Sequence, residues 1–355
     1  MKAPFPWFGG KSKAAGEVSE ALGDVSTYCE PFAGSLAVLL AREPVTHEVV
    51  NDNDGFLSNF WRAVRAAPDD VARWADYPVN EIDLTARHWW LVTRAGRLKA
   101  DLETDPDFYD AKAAGWWVWG ICGWIGDGWC SGSGPWSVVD GDAGPAMVKG
   151  DAGQGINKQL PHMGNAGQGI NKQLPHMGNA GRGINKQLPH MGNAGRGINK
   201  KPGESDSTQL ILGWMRELSG RLRRVRVACG DFERVLSDSV LQLRGGGLDG
   251  MAGVLLDPPY PAGANEDDCY AGQDETASSV YGRAIAWATA NACRPNLRIV
   301  VCGYEGLWTP PDGWTVRSWK NNAGYRREKG QRQEVLWCSP HCVRPVEDPQ
   351  LGFGW

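Results

Sequence analysis

Asp257-Pro258-Pro259-Tyr260 closes the apolar run Gly253-Val254-Leu255-Leu256, and its chemistry is that of holding a planar amino group. Two successive prolines lack backbone N–H donors and have fixed φ, so they cannot continue a sheet. The chain must leave the strand as a stiff turn. That turn gathers one carboxylate, one backbone carbonyl and one aromatic ring around a small space. An exocyclic amino group on a heterocycle needs those partners: two acceptors for its N–H bonds and a ring to stack on. The same four residues also describe an ordinary strand-ending turn with a buried tyrosine, so the rest of the chain has to decide.

Two other segments carry candidate binding chemistry. In Glu30-Pro31-Phe32-Ala33-Gly34-Ser35, Gly34 lets the backbone approach a ligand and Phe32 can pack on it. An ordinary turn between strand and helix would look the same. Asp52 stands at the end of the next strand, about twenty residues on, where an acid can accept from both hydroxyls of a ribose. Asp52 or Asp54 would equally serve as a helix N-cap. Order and spacing favour the ribose role for Asp52.

The elements that must hold these residues alternate. A helix is predicted over 12–22, a strand over 25–30, a helix over 35–42, a strand over 47–50 and a helix over 56–65. Strand, turn and helix repeated with short loops predict a parallel sheet covered by helices. The alternation returns with a helix over 207–224, strands over 225–228 and 253–256, a helix over 276–292 and a strand over 297–301. Segments 314–320 and 333–338 predict a final antiparallel pair. Residues 1–69 and 206–345 thus read as one discontinuous α/β core, with 70–205 an insertion and 346–355 a tail.

Inside the insertion, helical segments over 85–99 and 108–119 lead to a Gly- and Trp-rich stretch, 120–134, and then to a repeat of period 14 over 154–200. Its unit reads Gln/Arg-Gly-Ile-Asn-Lys-Gln-Leu-Pro-His-Met-Gly-Asn-Ala-Gly. No acidic residue lies between Asp151 and Glu204, whereas Lys158, Lys172, Arg182, Lys186, Arg196, Lys200 and Lys201 are basic. Each unit has too few apolar residues to close a core. A tandem duplication forming a tolerated surface loop accounts for this pattern, and so does a basic arm running along phosphates. One unit making the contacts, with the extra copies incidental, combines the two. The duplication itself explains the recurring histidines. Trp124, Trp129 and Trp136 could wedge into DNA or close a lid, and packing is the preferred reading.

Bulk properties set the frame. The chain of 355 residues has a formal net charge of −4, which argues against a uniformly basic nucleic-acid binder but not against a local basic surface. Eighteen tryptophans supply stacking surface, most of it accounted for by core packing. Nine cysteines without framework spacing suggest free thiols in a reducing cytoplasm. No signal-peptide or membrane-spanning apolar run is present in the sequence. Cys338-Ser339-Pro340-His341-Cys342 lacks a second ligand pair and is not read as a metal site.

Taken together the motifs resemble those of the DNA adenine methylase family, alpha-type N6-adenine DNA methyltransferases, over 6–60 and 225–339. Pro6-Trp7-Phe8-Gly9-Gly10-Lys11 resembles the family's opening motif, Pro31-Phe32-Ala33-Gly34 its cofactor turn, and Asn51-Asp52-Asn53 its ribose motif. Asp257-Pro258-Pro259-Tyr260 resembles its catalytic motif, and Cys229-Gly230-Asp231-Phe232 a segment beside the cofactor adenine. One departure is Leu36, where many members carry a second glycine. The resemblance implies a Rossmann-like S-adenosylmethionine-dependent core, a mixed seven-stranded sheet with helices on both faces, with 70–205 as target-recognition region. It also implies that Trp7, Lys11, Phe32, Gly34, Asp52, Asp231, Phe232 and Asp257 hold S-adenosylmethionine, with Lys11 on its carboxylate.

Asp257, the Pro258 carbonyl and Tyr260 would act on an adenine flipped from double-stranded DNA, without a metal. Lys158, Lys172, Arg182, Lys186, Arg196 and Lys200 would meet the phosphates. Three alternatives stand beside this: an N4-cytosine enzyme, which more often carries Ser in place of Asp257; a catalytically inactive DNA-binding relative; and, on the repeats alone, an interaction scaffold. Asn in that place would suit a protein-glutamine methyltransferase. No nuclease motif is evident, so a cognate restriction nuclease would be a separate protein. The repeat expansion hints at a phage or mobile bacterial genome.

Overall fold

The computed structural model describes residues 1–5, 7, 11–124, 129–130, 136–141, 144–149, 207–243, 250–261, 275–318 and 333–344. The basic repeat residues Lys158, Lys172, Arg182, Lys186, Arg196 and Lys200 lie outside the described residues, as does the expected tail 346–355. The chain divides into two compact units. One comprises Met1, Gly9–Asp52 and Arg224–Trp355; the other comprises Lys2–Phe8 and Asn53–Arg223.

In chain order the first unit supplies α1 (Ala15–Leu22), β1 (Thr27–Glu30), α2 (Ala37–Ala41) and β2 (His47–Asp52). The second contributes α3 (Gly55–Ala66), α4 (Pro68–Ala75), α5 (Glu81–Val92), α6 (Ala95–Thr104), α7 (Ala111–Gly123), β3 (Trp136–Gly141), β4 (Gly144–Lys149) and α8 (Ser207–Leu222). The first unit resumes with β5 (Val225–Cys229), β6 (Ala252–Leu256), α9 (Glu275–Asn291), β7 (Leu297–Tyr304), β8 (Thr315–Arg317) and β9 (Glu334–Cys338).

The first unit is built on a seven-stranded sheet of order β5-β2-β1-β6-β7-β9-β8, with helices on both faces. β5, β2, β1, β6 and β7 run parallel, whereas β9 is antiparallel to both β7 and β8. β1 and β6 are buried along their whole length, as central parallel strands covered on both faces must be. The edge strand β5 instead alternates buried and exposed positions. From β1 the chain proceeds to β2 on one side, and from β6 to β7 on the other. The strand order therefore reverses between β1 and β6, the place where open α/β sheets bind ligands.

Beneath this edge, Val254, Leu256, Ile299, Val301 and Trp337 pack with Ala284 and Ala288 of α9. The two alanines, one turn apart, let the helix approach the sheet. Trp337 of β9 needs space on the neighbouring β7, and Gly303 provides it: a Cβ there would lie 2.2 Å from the indole ring.

In the second unit Phe5, Phe60, Trp61 and Trp117 form an aromatic core with ring centroids 4.8–5.8 Å apart. The Asp54 carboxylate caps α3 by accepting from the backbone N–H groups of Phe56 and Leu57. Trp124 stacks on His88, and Trp129 donates from Nε1 to the Trp117 carbonyl while lying over Gly120. Both tryptophans are packing residues of the helical unit, as preferred from the sequence. Among the described residues no helix is long and apolar enough to cross a membrane.

All seven strands expected from the apolar runs occur in the sheet, with shifted ends. The helical segment expected over 85–99 is two helices, α5 and α6. Thr93 Oγ1 turns back onto the carbonyls of Trp89 and Trp90 and ends the first of them. Helix α4 and the β3–β4 hairpin were not apparent from periodicity. The contact-based units divide at 52/53 and 223/224, with Lys2–Phe8 also in the helical unit, because α3 and α8 pack within that unit. There Arg216 of α8 pairs with both carboxylate oxygens of Asp69, and Ser219 Oγ donates to the Arg65 carbonyl.

Gly303→Ala should destabilise the protein by about 1–3 kcal/mol through overpacking against Trp337. Gly16→Ala, at an exposed helical position with open space around it, should instead be neutral or stabilising by up to about 1 kcal/mol. Urea unfolding of the two variants checks the contrast.

Candidate active site

Three loops leave the carboxyl edge of the sheet and are tied together by one side chain. Asn51 Nδ2 donates to the carbonyls of Pro31 (3.1 Å) and Gly230 (2.9 Å). Backbone bonds add to this: Ala33 N–H to the Asn51 carbonyl, and Gly230 N–H to the Asp52 carbonyl. The loops after β1, β2 and β5 are therefore one rigid piece. Gly34, with φ 47°, turns its N–H onto Asp52 Oδ2 at 3.0 Å. Leu36 also has left-handed backbone (φ 55°, ψ 28°), which glycine adopts without strain and leucine does not. Its side chain is fully buried, and that burial offsets the strain where a glycine would have nothing to bury.

Glu30 ends β1 beneath this turn. Its Oε1 accepts from Tyr28 Oη (2.7 Å) and from the Leu39 N–H (2.8 Å), so the carboxyl joins β1 to α2. Burial raises its pKa to about 7, although the bonds from Tyr28 and Leu39 oppose the rise.

Asp257 follows β6 on the other side of the strand reversal. Its Oδ1 lies 3.0 Å from Lys11 Nζ and accepts from Tyr260 Oη at 3.2 Å. Oδ2 makes no hydrogen bond or ion pair among the described residues. Lys11 is 5% exposed and also reaches Glu334 Oε1 at 3.2 Å. Burial by itself would lower the Lys11 pKa, but Asp257, the Cys302 thiol and Glu334 outweigh it and hold the ammonium charged. Tyr260, 4% exposed, packs edge-on against Tyr304 (4.9 Å) and Tyr281 (6.4 Å). Burial, and next the charge of Asp257, raise its phenol pKa well above the ordinary value.

Phe32 and Phe232 stack at 5.0 Å, and the Arg283 guanidinium lies over Phe232. Arg283 holds both carboxylate oxygens of Asp231 and keeps it below the usual carboxylate range. Asp231 thus ties α9 to the loop after β5. The residues expected from the sequence fall into three places. Phe32, Gly34, Asp52, Asp231 and Phe232 line the joined loops. Lys11, Asp257, Pro258 and Tyr260 gather at the end of β6. Trp7 lies in the helical unit, with its ring 5.9 Å from Phe5 and 6.3 Å from Trp117. Tyr28, Tyr304, Arg283 and Glu334 were not singled out from the sequence, and Glu30 and Asn51 entered only within the turn and ribose motifs, without a role of their own.

The loop residues suit an adenosine-containing cofactor. Asp52 offers a carboxylate at a strand end, the partly buried Phe32 offers ring surface backed by the buried Phe232, and the buried Asn51 Oδ1 is an acceptor with no hydrogen-bond partner among the described residues. A doubly wound sheet with such loops at its reversal point, and an Asp-Pro-Pro-Tyr turn beside them, has the layout of a nucleotide-binding α/β fold. Residues 7–81 match the D12 class of N6 adenine-specific DNA methyltransferases. That stretch includes Trp7, Lys11, Phe32, Gly34 and Asp52 and ends before Asp257. No curated protein matches the chain.

Glu30 gives the site a pH signature. Its folded pKa of about 7 exceeds the ordinary 4.5, so the folded state holds the proton more tightly than the unfolded one. This contribution to stability is complete below about pH 4.5 and is lost as pH rises through about 7, an expected loss of about 3 kcal/mol. Glu30→Gln keeps an acceptor for Tyr28 and Leu39 and should flatten the urea midpoint between pH 5 and 8.

Proposed function

We propose that this chain is a site-specific DNA methyltransferase that transfers the methyl group of S-adenosylmethionine to N6 of an adenine flipped out of duplex DNA. The observation that carries the proposal is the Asp257 carboxylate at the strand reversal, with Oδ1 fixed by Lys11 and Tyr260 and Oδ2 unengaged. The match of residues 7–81 to D12-class enzymes supports the same reaction class.

Asp52, Gly34, Phe32 and Phe232 would hold the cofactor, which supplies an electrophilic methyl group when bound. The work of the protein is to prepare the amino nitrogen. Asp257 Oδ2 and the Pro258 carbonyl accept the two N6–H bonds and draw the lone pair out of conjugation with the purine. Acceptors set before the reaction then stabilise the positive charge that develops on N6. Tyr260 has two roles that can be separated: its hydroxyl orients Asp257, and its ring offers a stacking face once it turns out of the Tyr281–Tyr304 cluster. The basic residues of the repeats, Lys158, Lys172, Arg182, Lys186, Arg196 and Lys200, would follow the DNA phosphates. Extrusion of the base precedes chemistry, since N6 is not reachable for transfer within the stack.

Incubation with labelled S-adenosylmethionine and unmethylated genomic DNA, followed by nucleoside analysis, tests the assignment. The label should appear in N6-methyladenine. Label in N4-methylcytosine would move the target to the other exocyclic amine, and a chain that binds cofactor without transfer would be a DNA-binding relative. Asp257→Ala should abolish transfer with the fold retained, as read by circular dichroism. Tyr260→Ala should weaken capture of the base by roughly 1–3 kcal/mol and spare cofactor affinity. Tyr260→Phe should retain the capture and lose rate through the missing bond to Asp257.

A further inference from the structure

Resting on that assignment, we propose that Glu334 is a positioning residue for methyl transfer: it shares the Lys11 ammonium with Asp257, so that Asp257 is oriented by Lys11 without being neutralised by it. The topology brings Glu334 to the site. β9 runs antiparallel to β7, and its first residue, Glu334, pairs with Tyr304, the last residue of β7. An antiparallel strand thus begins at the edge where the parallel strands end, and it delivers a carboxylate there.

Lys11 Nζ sits between Asp257 Oδ1 at 3.0 Å and Glu334 Oε1 at 3.2 Å, and each carboxylate is 22% exposed. A buried ammonium needs one carboxylate to be compensated; this one has two. With both carboxylates ionised, Lys11, Asp257 and Glu334 carry one net negative charge between them, facing a reaction whose cofactor is a sulfonium and whose nucleophile becomes cationic. With Glu334 removed, Lys11 would cancel the charge of Asp257 and the acceptor for N6–H would weaken. The arrangement is costly to Glu334. Burial raises its pKa, the charge of Lys11 opposes the rise, and the like charge of Asp257 adds to it. Among the described residues, Tyr260, Cys302 and Tyr304 are further titratable groups beside the site, and Glu30 lies within electrostatic reach of Asp257.

Two measurements test this. In single-turnover transfer across pH, Glu334→Gln should lower the rate about 10- to 100-fold. It should also displace the acidic limb of the profile to lower pH, while affinity for S-adenosylhomocysteine stays within about threefold. Glu334→Asp should restore part of the rate. The second measurement needs no turnover. The Glu334 side-chain carboxyl is followed by NMR in the cofactor-free protein, assigned by its loss in Glu334→Gln. Its midpoint should move to lower pH in Asp257→Asn and to higher pH in Lys11→Met.

An active wild type whose Glu334→Gln variant keeps both rate and acidic limb overturns the proposal, as does a Glu334 midpoint indifferent to Asp257. A wild type that transfers no methyl group to DNA overturns the functional assignment instead, and the NMR titration still decides whether the three charges are coupled.

Discussion

The pairing of β1 with β6 is the constraint on which the site depends. The two strands are hydrogen-bonded neighbours, yet the chain leaves them toward opposite sides of the sheet. The turns after Glu30 and Leu256 therefore leave the same edge of the sheet on either side of the strand reversal. Gly34, Asp52, Lys11, Asp257 and Tyr260 are brought to that edge. The Asn51 clamp keeps three loops in one arrangement, and the Asp-Pro-Pro-Tyr turn fixes the fourth by removing backbone donors.

That edge carries costs that the rest of the first unit must offset. Leu36 holds a left-handed backbone, Glu30 keeps a carboxyl out of water, and Lys11 is buried with two carboxylates beside it. A buried ion pair is weak evidence for stability, because desolvation competes with attraction. On the proposed reading, the three charges of Lys11, Asp257 and Glu334 are an arrangement kept for chemistry. The apolar sheet below, with Trp337 seated in the space left by Gly303 and α9 brought close by alanines, supplies the burial that lets these exceptions persist.

Much of this was legible in the sequence, for identifiable reasons. Strands β1, β2 and β6 announce themselves as short apolar runs ending in Glu-Pro, Asn-Asp and Asp-Pro-Pro, because a strand that ends in a functional turn changes composition abruptly. Lys11 and Asp257 were picked out separately, but their contact joins residues far apart in the chain and no spacing rule foretells it. Glu334 was invisible for a related reason. An acid opening the apolar run Glu334-Val-Leu-Trp-Cys338 reads as a solvent-facing strand end until the antiparallel register puts it beside Tyr304. The α4 helix was missed because it is only eight residues long and buries just Val71, Ala72 and Ala75, too short an apolar pattern to stand out. The break between α5 and α6 depends on a threonine hydroxyl bonding backward, which periodicity does not register.

The packing of α3 against α8 has a meaning for how the chain tolerates change. β2 and β5 are adjacent parallel strands separated in sequence by the whole of Asn53–Arg223. Taken as bare polymer, such a separation would make their pairing a slow and entropically expensive event. Ser219 bonds to the Arg65 carbonyl, however, so the helices that follow β2 and precede β5 are joined within their own unit. Once they meet, the sheet senses the distance between two helix ends rather than the length of chain between them. Fourteen-residue units can then be gained or lost by the gene while the register of every strand stays the same, and copy number becomes a quantity that selection can vary without consulting the fold.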